Sequence, residues 1–224
     1  MTQKFYLRNV TAADTPTAGK KSTALTSTQA DNATGTEETR SLLAAKGTVQ
    51  TSIPQTTDNT TTAEVGYHAR FTSNPLQAGT LLGVGNWIMA MAINESNANS
   101  NFFLAFSLYF WRPSNNTVVG YIYDTDVAVG TEPPTSETGE VNTIVGVGVT
   151  IQEGDVLVLE VWRKQTQSMG TAYTNTIFFD GTTDPVDATG TTDAAAYIEA
   201  PADIPEYVPP VATLPNTLLL LGVG

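Results

Sequence analysis

The sequence has 224 residues, a formal net charge of −12, 41% hydrophobic residues and only 14% charged residues. This length suits one large β domain or two small ones with a real core. An acidic chain with ten basic residues is not expected to bind nucleic acid or an anionic membrane, because both attract clusters of Lys and Arg. The absence of cysteine excludes disulfides, thiolate nucleophiles and cysteine-based metal sites.

Uncharged Thr, Ser, Asn and Gln must supply most of the polar surface, and this composition favours strands and turns over helices. So low a share of charged residues is also typical of a protein whose surface is covered by neighbouring subunits. The composition therefore favours an all-β protein that packs against other protein subunits.

The N-terminal zone, residues 1–62, is predicted to be a strand and loop-rich segment that packs on the core. Residues 4–10 alternate as a strand does, and the first residues lack the basic and apolar stretches of a secretory signal. Residues 37–46 predict one or two helical turns, with an acidic start and Gly47 as a stop. Residues 56–62 predict an exposed loop. We expect a protein made in a cytoplasm and not anchored in a membrane.

The middle zone, residues 63–182, carries the period-2 pattern of strands in seven runs separated by turn residues. The residues from 102 to 111 are apolar on both faces, which is typical of a central strand covered on each side. This pattern predicts an antiparallel β-sandwich, with the jelly roll as its preferred version. The predicted core residues are Val65, Tyr67, Phe71, Trp87, Met89, Phe103, Phe106, Leu108, Leu157, Leu159 and Val161.

The last zone, residues 183–224, holds six of the twelve prolines and predicts an extended C-terminal arm in place of further sheet. The arm ends in an apolar run that would favour aggregation if it stayed solvated. We predict an assembly contact there, on this chain's own sandwich or on a neighbouring subunit. Its residues are Leu218, Leu219, Leu220, Leu221 and Val223.

Few residues suggest chemistry. The single histidine, His68, excludes a multi-histidine metal site and is interpreted as a hydrogen-bonded surface or interface residue. Glu160 lies near Trp162 on a predicted strand, which would suit a glycosidase site. Glycoside cleavage generally needs two carboxyl groups, and no second one can be paired with Glu160 from the sequence. We therefore prefer a surface ion pair with Arg163 or Lys164. Residues 83–85 and 146–148, both Gly-Val-Gly, match no phosphate-loop spacing and are interpreted as bulges or close backbone contacts. We predict no catalytic residue, cofactor or metal site.

Five segments are distinctive in their order along the chain. They are residues 5–9, residues 71–76, residues 87–96, residues 108–113 and residues 153–162, the last reading Glu-Gly-Asp-Val-Leu-Val-Leu-Glu-Val-Trp. Together they resemble a family of β-sandwich virion structural proteins of tailed bacteriophages, over about residues 4–182. The resemblance implies a head decoration (cement), neck or tail protein, folded in the host cytoplasm and then assembled into the virion.

The partners implied are other virion proteins, such as the major capsid or tail proteins, and further copies of this chain, with trimers at three-fold positions for a cement protein. A competing hypothesis is a carbohydrate-binding role on a neck, tail or fibre component in host adsorption. Its candidate exposed aromatic residues are Trp111, Trp162, Tyr121 and Tyr123. A hydrolase is disfavoured because paired catalytic groups are missing from the pattern.

Overall fold

A computed structural model describes residues 2–13, 16, 22–26, 39–56, 65–167 and 170–208. These residues form thirteen β-strands and one short 3-10 helix, Pro113–Asn115, so the predicted all-β class is confirmed. The strands are β1 (Gln3–Thr11), β2 (Thr39–Leu43), β3 (Thr51–Thr56), β4 (Val65–Ser73), β5 (Gly79–Leu82), β6 (Gly85–Glu95), β7 (Phe102–Arg112), β8 (Thr117–Asp124), β9 (Thr138–Gly146), β10 (Val149–Ile151), β11 (Val156–Gln165), β12 (Thr174–Phe179) and β13 (Tyr197–Ala200). Within these ranges no helix has the length and apolar character needed to cross a membrane.

One 11-stranded sheet has the order β3-β12-β6-β13-β1-β2-β4-β11-β7-β8, with β9 on the other edge of β6. The pairing is antiparallel except between β2 and β4, which are parallel, so the sheet is mixed. A second, two-stranded sheet joins β5 and β10. The jelly-roll version of the fold stays a prediction.

The large sheet packs around one main hydrophobic core, to which β4, β6, β7, β9, β11, β12 and β13 contribute buried side chains. The rings of Phe71 on β4 and Phe179 on β12 meet edge-on, with their centroids 5.2 Å apart. Most of the predicted core residues are buried in this cluster: Phe71, Trp87, Met89, Phe106, Leu108, Leu157, Leu159 and Val161.

The remaining three predicted core residues lie elsewhere, two of them because a β-bulge interrupts the alternation in β4. Val161 pairs with Ala69 and Trp162 with Tyr67, so His68 is the extra residue. Val65 and Tyr67 therefore point to the outer face, where they are only half-buried beside Trp162. Phe103 is also half-buried, opposite Lys164.

The predicted helical turns at residues 37–46 are wrong, since residues 39–43 form β2. Leu42 is fully buried in the core, and the strand pairs with both β1 and β4. The local helical signal is overridden by two long-range strand pairings.

The predicted start of an extended arm at residue 183 is also wrong. Residues 197–200 form β13, which lies in the sheet between β1 and β6, with Ile198 pairing to both Phe5 and Met89. The prolines that suggested an arm flank this strand and do not interrupt it. Residues 209–224, which include the predicted contact residues Leu218 to Leu221 and Val223, lie outside the described residues.

Candidate functional site

Glu160 is buried in an ion pair, in contrast to the surface pair predicted for it. It lies directly across from Arg70 in the register of β11 and β4, and both side chains are at most 1% exposed. Its Oε1 accepts hydrogen bonds from Arg70 Nη2 at 3.0 Å and from the Tyr109 hydroxyl at 3.0 Å, and its Oε2 accepts one from the Ser22 backbone at 3.1 Å. The carboxylate therefore holds the sheet and an N-terminal segment together.

Asp124 anchors the same segment. Its carboxylate accepts hydrogen bonds from the Ser22 hydroxyl at 2.5 Å, the Thr23 hydroxyl at 2.7 Å and the Ala24 backbone at 3.2 Å. Burial acts to raise the pKa of Asp124, but the hydrogen bonds from Ser22 and Thr23 hold it below its ordinary value. Ser22 thus bridges two carboxylates, both of which are used in fixing residues 22–24 to the sheet.

The four aromatic residues of the carbohydrate-binding hypothesis form no exposed platform. Trp162 is fully buried and Trp111 is 3% exposed, so the prediction that they are exposed is wrong. Tyr121 and Tyr123 are half-buried, with their rings against Tyr109 and Phe106. The outer face of β7 and β11 is itself covered, which the strand pattern alone does not indicate.

His68 is buried, so its interpretation as a surface or interface residue is wrong. It is the extra residue of the bulge in β4, and the centroid of its ring lies 6.0 Å from that of Phe102. Burial, together with the positive charge of Arg163, lowers the pKa of His68 to about 3. Among the described residues, no group of three or more His, Asp and Glu side chains is placed to hold a metal ion.

The two Gly-Val-Gly segments meet where β6 pairs with β9. Gly85 pairs with Gly146 across β6 and β9, which places Val84 opposite Val147 just beyond the paired residues. A Cβ on Gly146 would collide with the carbonyl oxygen of Gly83, so the backbones approach as only glycine allows. This agrees with the interpretation of these glycines as close backbone contacts, but their pairing with each other was not predicted.

Their meeting exposes a cluster of apolar side chains, which we call the apolar tip: Leu81, Val84, Val145 and Val147. These side chains are 68%, 57%, 72% and 61% exposed, respectively. Leu81 has a φ of 53°, a left-handed conformation that is unfavourable for leucine and persists only where the surroundings fix it.

The apolar tip is also free of charge. Residues 71–94 and residues 141–152 contain no Asp, Glu, Lys, Arg or His, although the chain carries a net charge of −12. Below the tip, Trp87 Nε1 donates a hydrogen bond to Gly83 O at 2.9 Å, and Val147 N donates one to Ile122 O at 3.0 Å. Exposed aliphatic side chains in an uncharged part of the chain, held by such hydrogen bonds, are typical of a protein–protein contact surface.

No protein-family model and no curated protein matches this sequence. Among solved structures, the fold is similar to two crystal structures of a CocE/NonD family hydrolase from Staphylococcus aureus, with TM-scores of 0.44 and 0.40 at 10% and 11% sequence identity. The similarity covers 76% and 71% of this chain but only 35% and 34% of the hydrolase chains, so this chain spans about a third of their length. The likeness is too distant to indicate a function.

Proposed function

We propose that this chain is a non-catalytic structural protein of a tailed-bacteriophage virion, which acts as a capsid decoration (cement) protein joining neighbouring subunits. The observation that carries the proposal is the apolar tip, where four large aliphatic side chains are exposed in a charge-free region of an otherwise acidic protein. Burying aliphatic side chains stabilises an interface by roughly 1.5–3 kcal/mol each when burial is complete. The resemblance of residues 4–182 to virion structural proteins supplies the setting.

The path of the last described residues supports a role for the C-terminal segment in the same contact. Gln77 N donates a hydrogen bond to Pro205 O at 2.9 Å, and Tyr207 N donates one to Pro75 O at 2.7 Å. The chain therefore leaves the described structure beside residues 75–77, just before β5 and the apolar tip.

We infer that Leu218 to Leu221 of one subunit pack on the apolar tip of its neighbour. Leu218 to Leu221 and the apolar tip are both aliphatic and uncharged. A contact between them would therefore bury apolar surface without removing water from a charged group. A C-terminal segment that packs on a neighbouring subunit adds contact area without enlarging the folded domain. This suits a protein that joins the subunits of a shell.

Disulfide trapping tests this contact, because the natural chain has no cysteine. A Val147→Cys protein is mixed with a Leu219→Cys protein under mild oxidation, and the linked peptides are identified by mass spectrometry. Packing between subunits predicts a mixed disulfide that joins the two substituted positions, and packing within one subunit predicts that only the doubly substituted chain forms it. Val49→Cys, at a valine that is 72% exposed outside the tip, is the matched control and should give little mixed disulfide.

Attachment to particles tests the wider proposal. The double substitution Val84→Asp with Val147→Asp places charge in the apolar tip and should abolish binding to capsids that lack the protein, whereas Val49→Asp should bind normally. A decoration protein is further expected at a copy number comparable with that of the major capsid protein. Normal capsid binding by the double variant would contradict a contact through the apolar tip. If the protein is present at only a small fraction of the copy number of the major capsid protein, it is instead a neck or fibre component.

A further inference from the structure

Strand β9 pairs with β6 along one edge, in a register that runs without a bulge. Within the described part of the chain, its second edge meets no other strand and makes only an isolated bridge at Thr138. A loop covers the beginning of this second edge. Gly139 N donates a hydrogen bond to Thr189 O at 2.9 Å, and Val141 N donates one to Asp187 Oδ1 at 3.3 Å. The start of β9 is therefore closed to a further strand.

The end of β9 is open at Thr143 and Val145. Alternate residues of a strand direct their backbone groups to the same edge, so the N–H and C=O groups of these two residues point away from β6, as those at the start of the strand do. No described residue forms a hydrogen bond with them along this edge, and both side chains are exposed. Just beyond the strand, Val147 N donates to Ile122 O at 3.0 Å and closes the edge again. The open stretch therefore spans residues 143–145.

The two ends of the large sheet are protected, in contrast to this stretch. At one end, β3 carries Pro54, which has no N–H to offer a further strand. At the other end, a Cβ on Gly120 of β8 would lie 2.9 Å from the side chain of Val149, so β10 packs against that strand. An unpaired edge favours aggregation unless it is blocked or paired, and residues 143–145 contain neither proline nor charge. This stretch therefore suits a partner strand.

A short extended segment fits the open stretch better than the edge of a second folded domain. The loop that contains Asp187 flanks the stretch on one side and Ile122 flanks it on the other, so a long partner strand would meet both. The partner strand must also be aliphatic. Val141 packs with Ile88 on one face of the sheet, and Ile144 lies in the main core on the other.

Residues 216–224 of this chain have the required properties. They contain no proline, so every residue can donate its N–H, and they follow directly after Pro215. They contain no charged side chain, which matches the uncharged residues 141–152. Their four consecutive leucines would present aliphatic side chains on both faces of a strand.

We propose that Leu218 to Leu221 bind as an additional strand on the open edge of β9, through hydrogen bonds with the backbone of Thr143 and Val145. This inference rests on the proposed function, in which the same leucines are the contact segment, and adds the way in which they bind. Alternate leucines then lie beside Val145 and the apolar tip, and the leucines between them lie on the side of Ile144. Backbone pairing fixes the register of the segment, which aliphatic burial alone does not.

Hydrogen exchange in the full-length protein tests the additional strand. At a concentration where sedimentation velocity shows assembly, the amides of Thr143 and Val145 should exchange about 10-fold or more slowly than in Leu219→Asp with Leu220→Asp, which places charge in the segment. The amide of Val49, at an exposed residue outside the apolar tip, is the control and should exchange equally in both proteins. Equal exchange of Thr143 and Val145 in the two proteins would overturn the proposal.

Dilution separates the strand from the subunit that supplies it. Protection of the Thr143 and Val145 amides that survives dilution to the monomer would show that the segment pairs with β9 of its own chain. This result would support the additional strand and contradict the proposed contact between subunits. Protection that is lost with assembly supports both.

Leucines with a methylated backbone nitrogen separate backbone pairing from side-chain burial. Synthetic residues 212–224 are ligated to residues 1–211 through Ala212→Cys, and desulfurisation then restores the natural residue in a full-length chain. One chain is methylated at Leu218 and Leu220, and the other at Leu219 and Leu221. Because a strand directs alternate N–H groups to one neighbour, only one of the two chains should lose the protection of the β9 amides. Equal exchange in the two chains would overturn the additional strand and leave a contact through side chains alone, as the proposed function requires.

Thr143→Pro blocks the edge from the side of β9. The N–H of Thr143 points away from β6, so proline there removes no hydrogen bond of the large sheet and should leave the melting temperature nearly unchanged. It should abolish assembly, whereas Thr143→Ala, which keeps the N–H, should assemble as the natural protein does. Normal assembly of a folded Thr143→Pro protein would overturn the proposal. The methylated chains, in which the sheet itself is unaltered, decide the question if Thr143→Pro lowers the melting temperature.

Discussion

Arg70 and Glu160 face each other across β4 and β11 in an ion pair whose Nη2 and Oε1 atoms lie 3.0 Å apart, with side chains 1% and 0% exposed. Glu160→Ala would leave the Arg70 charge buried without this partner, and breaking a buried pair in this way typically costs about 3–5 kcal/mol. Urea unfolding of the variant measures the loss. Asp126→Ala is the control, because it breaks the exposed pair with Lys164, which should contribute at most about 1 kcal/mol. Equal losses in the two variants would contradict the structural role of the buried pair.

Leu159 lies in the main core and is fully buried. Leu159→Ala should therefore lower the free energy of unfolding by about 2–5 kcal/mol, through lost burial and the cavity that remains. Val145→Ala, in the apolar tip, should change the free energy of unfolding by only about a few tenths of a kcal/mol, since that side chain is 72% exposed. Chemical denaturation of both variants measures the difference, and a small loss at Leu159 would mean that the inward face of β11 is wrongly assigned.

Glu140 should make the protein less stable as the pH rises. Burial raises its pKa to about 7 in the folded state, from an ordinary value of 4.5. Between these values the unfolded chain loses its proton first, so the free energy of unfolding falls as the pH rises from 4.5 through 7. Glu140→Gln lacks this effect. Its free energy of unfolding should therefore rise relative to that of the natural protein between pH 4.5 and about 7, with no further rise at higher pH. Thermal unfolding at half-unit pH intervals measures this, and a difference that stays constant from about pH 4 to 8 would show that Glu140 titrates normally.

Two truncations separate the sheet strand from the segment that follows it. Deleting residues 183–224 removes β13, including the buried Ile198, and should cost about 3 kcal/mol or more. Deleting only residues 209–224 keeps β13 and should leave the melting temperature nearly unchanged, while subunit assembly is lost. Calorimetry and sedimentation velocity measure the two effects. Normal assembly of the shorter deletion would contradict the proposed role of Leu218 to Leu221.

The inward-facing residues of the central strands could be predicted from sequence because each strand keeps one face in the core along its length. Leu157, Leu159 and Val161 follow that rule, and all three are fully buried. The rule fails at His68, where a single extra residue reverses the faces of Val65 and Tyr67 relative to Phe71. A bulge of this kind depends on the partner strand, so the alternation within β4 does not indicate it.

The candidate site was harder to predict, since it depends on contacts between distant parts of the chain. The two Gly-Val-Gly segments were singled out as close backbone contacts, but only the pairing of Gly85 with Gly146 brings Val84 and Val147 together. The burial of Trp162 likewise depends on Leu25, which lies far away in the sequence. β13 was missed because four residues among prolines and alanines carry little periodic signal, and their pairing with β1 and β6 decides their structure.

The pairing of β1 with β13 joins Gln3 to Ala200 and therefore ties the order of folding to translation. At a synthesis rate of about 5–20 residues per second, roughly 10–40 s separate the appearance of these two residues. Throughout that interval the nascent chain carries Phe5 and Leu7, both fully buried in the finished protein, on a strand that can pair with β2 but whose second partner, β13, does not yet exist. Closure of the large sheet therefore comes after nearly all of its other strands have been made, and we expect the ribosome-bound chain to attract chaperones that bind extended apolar segments.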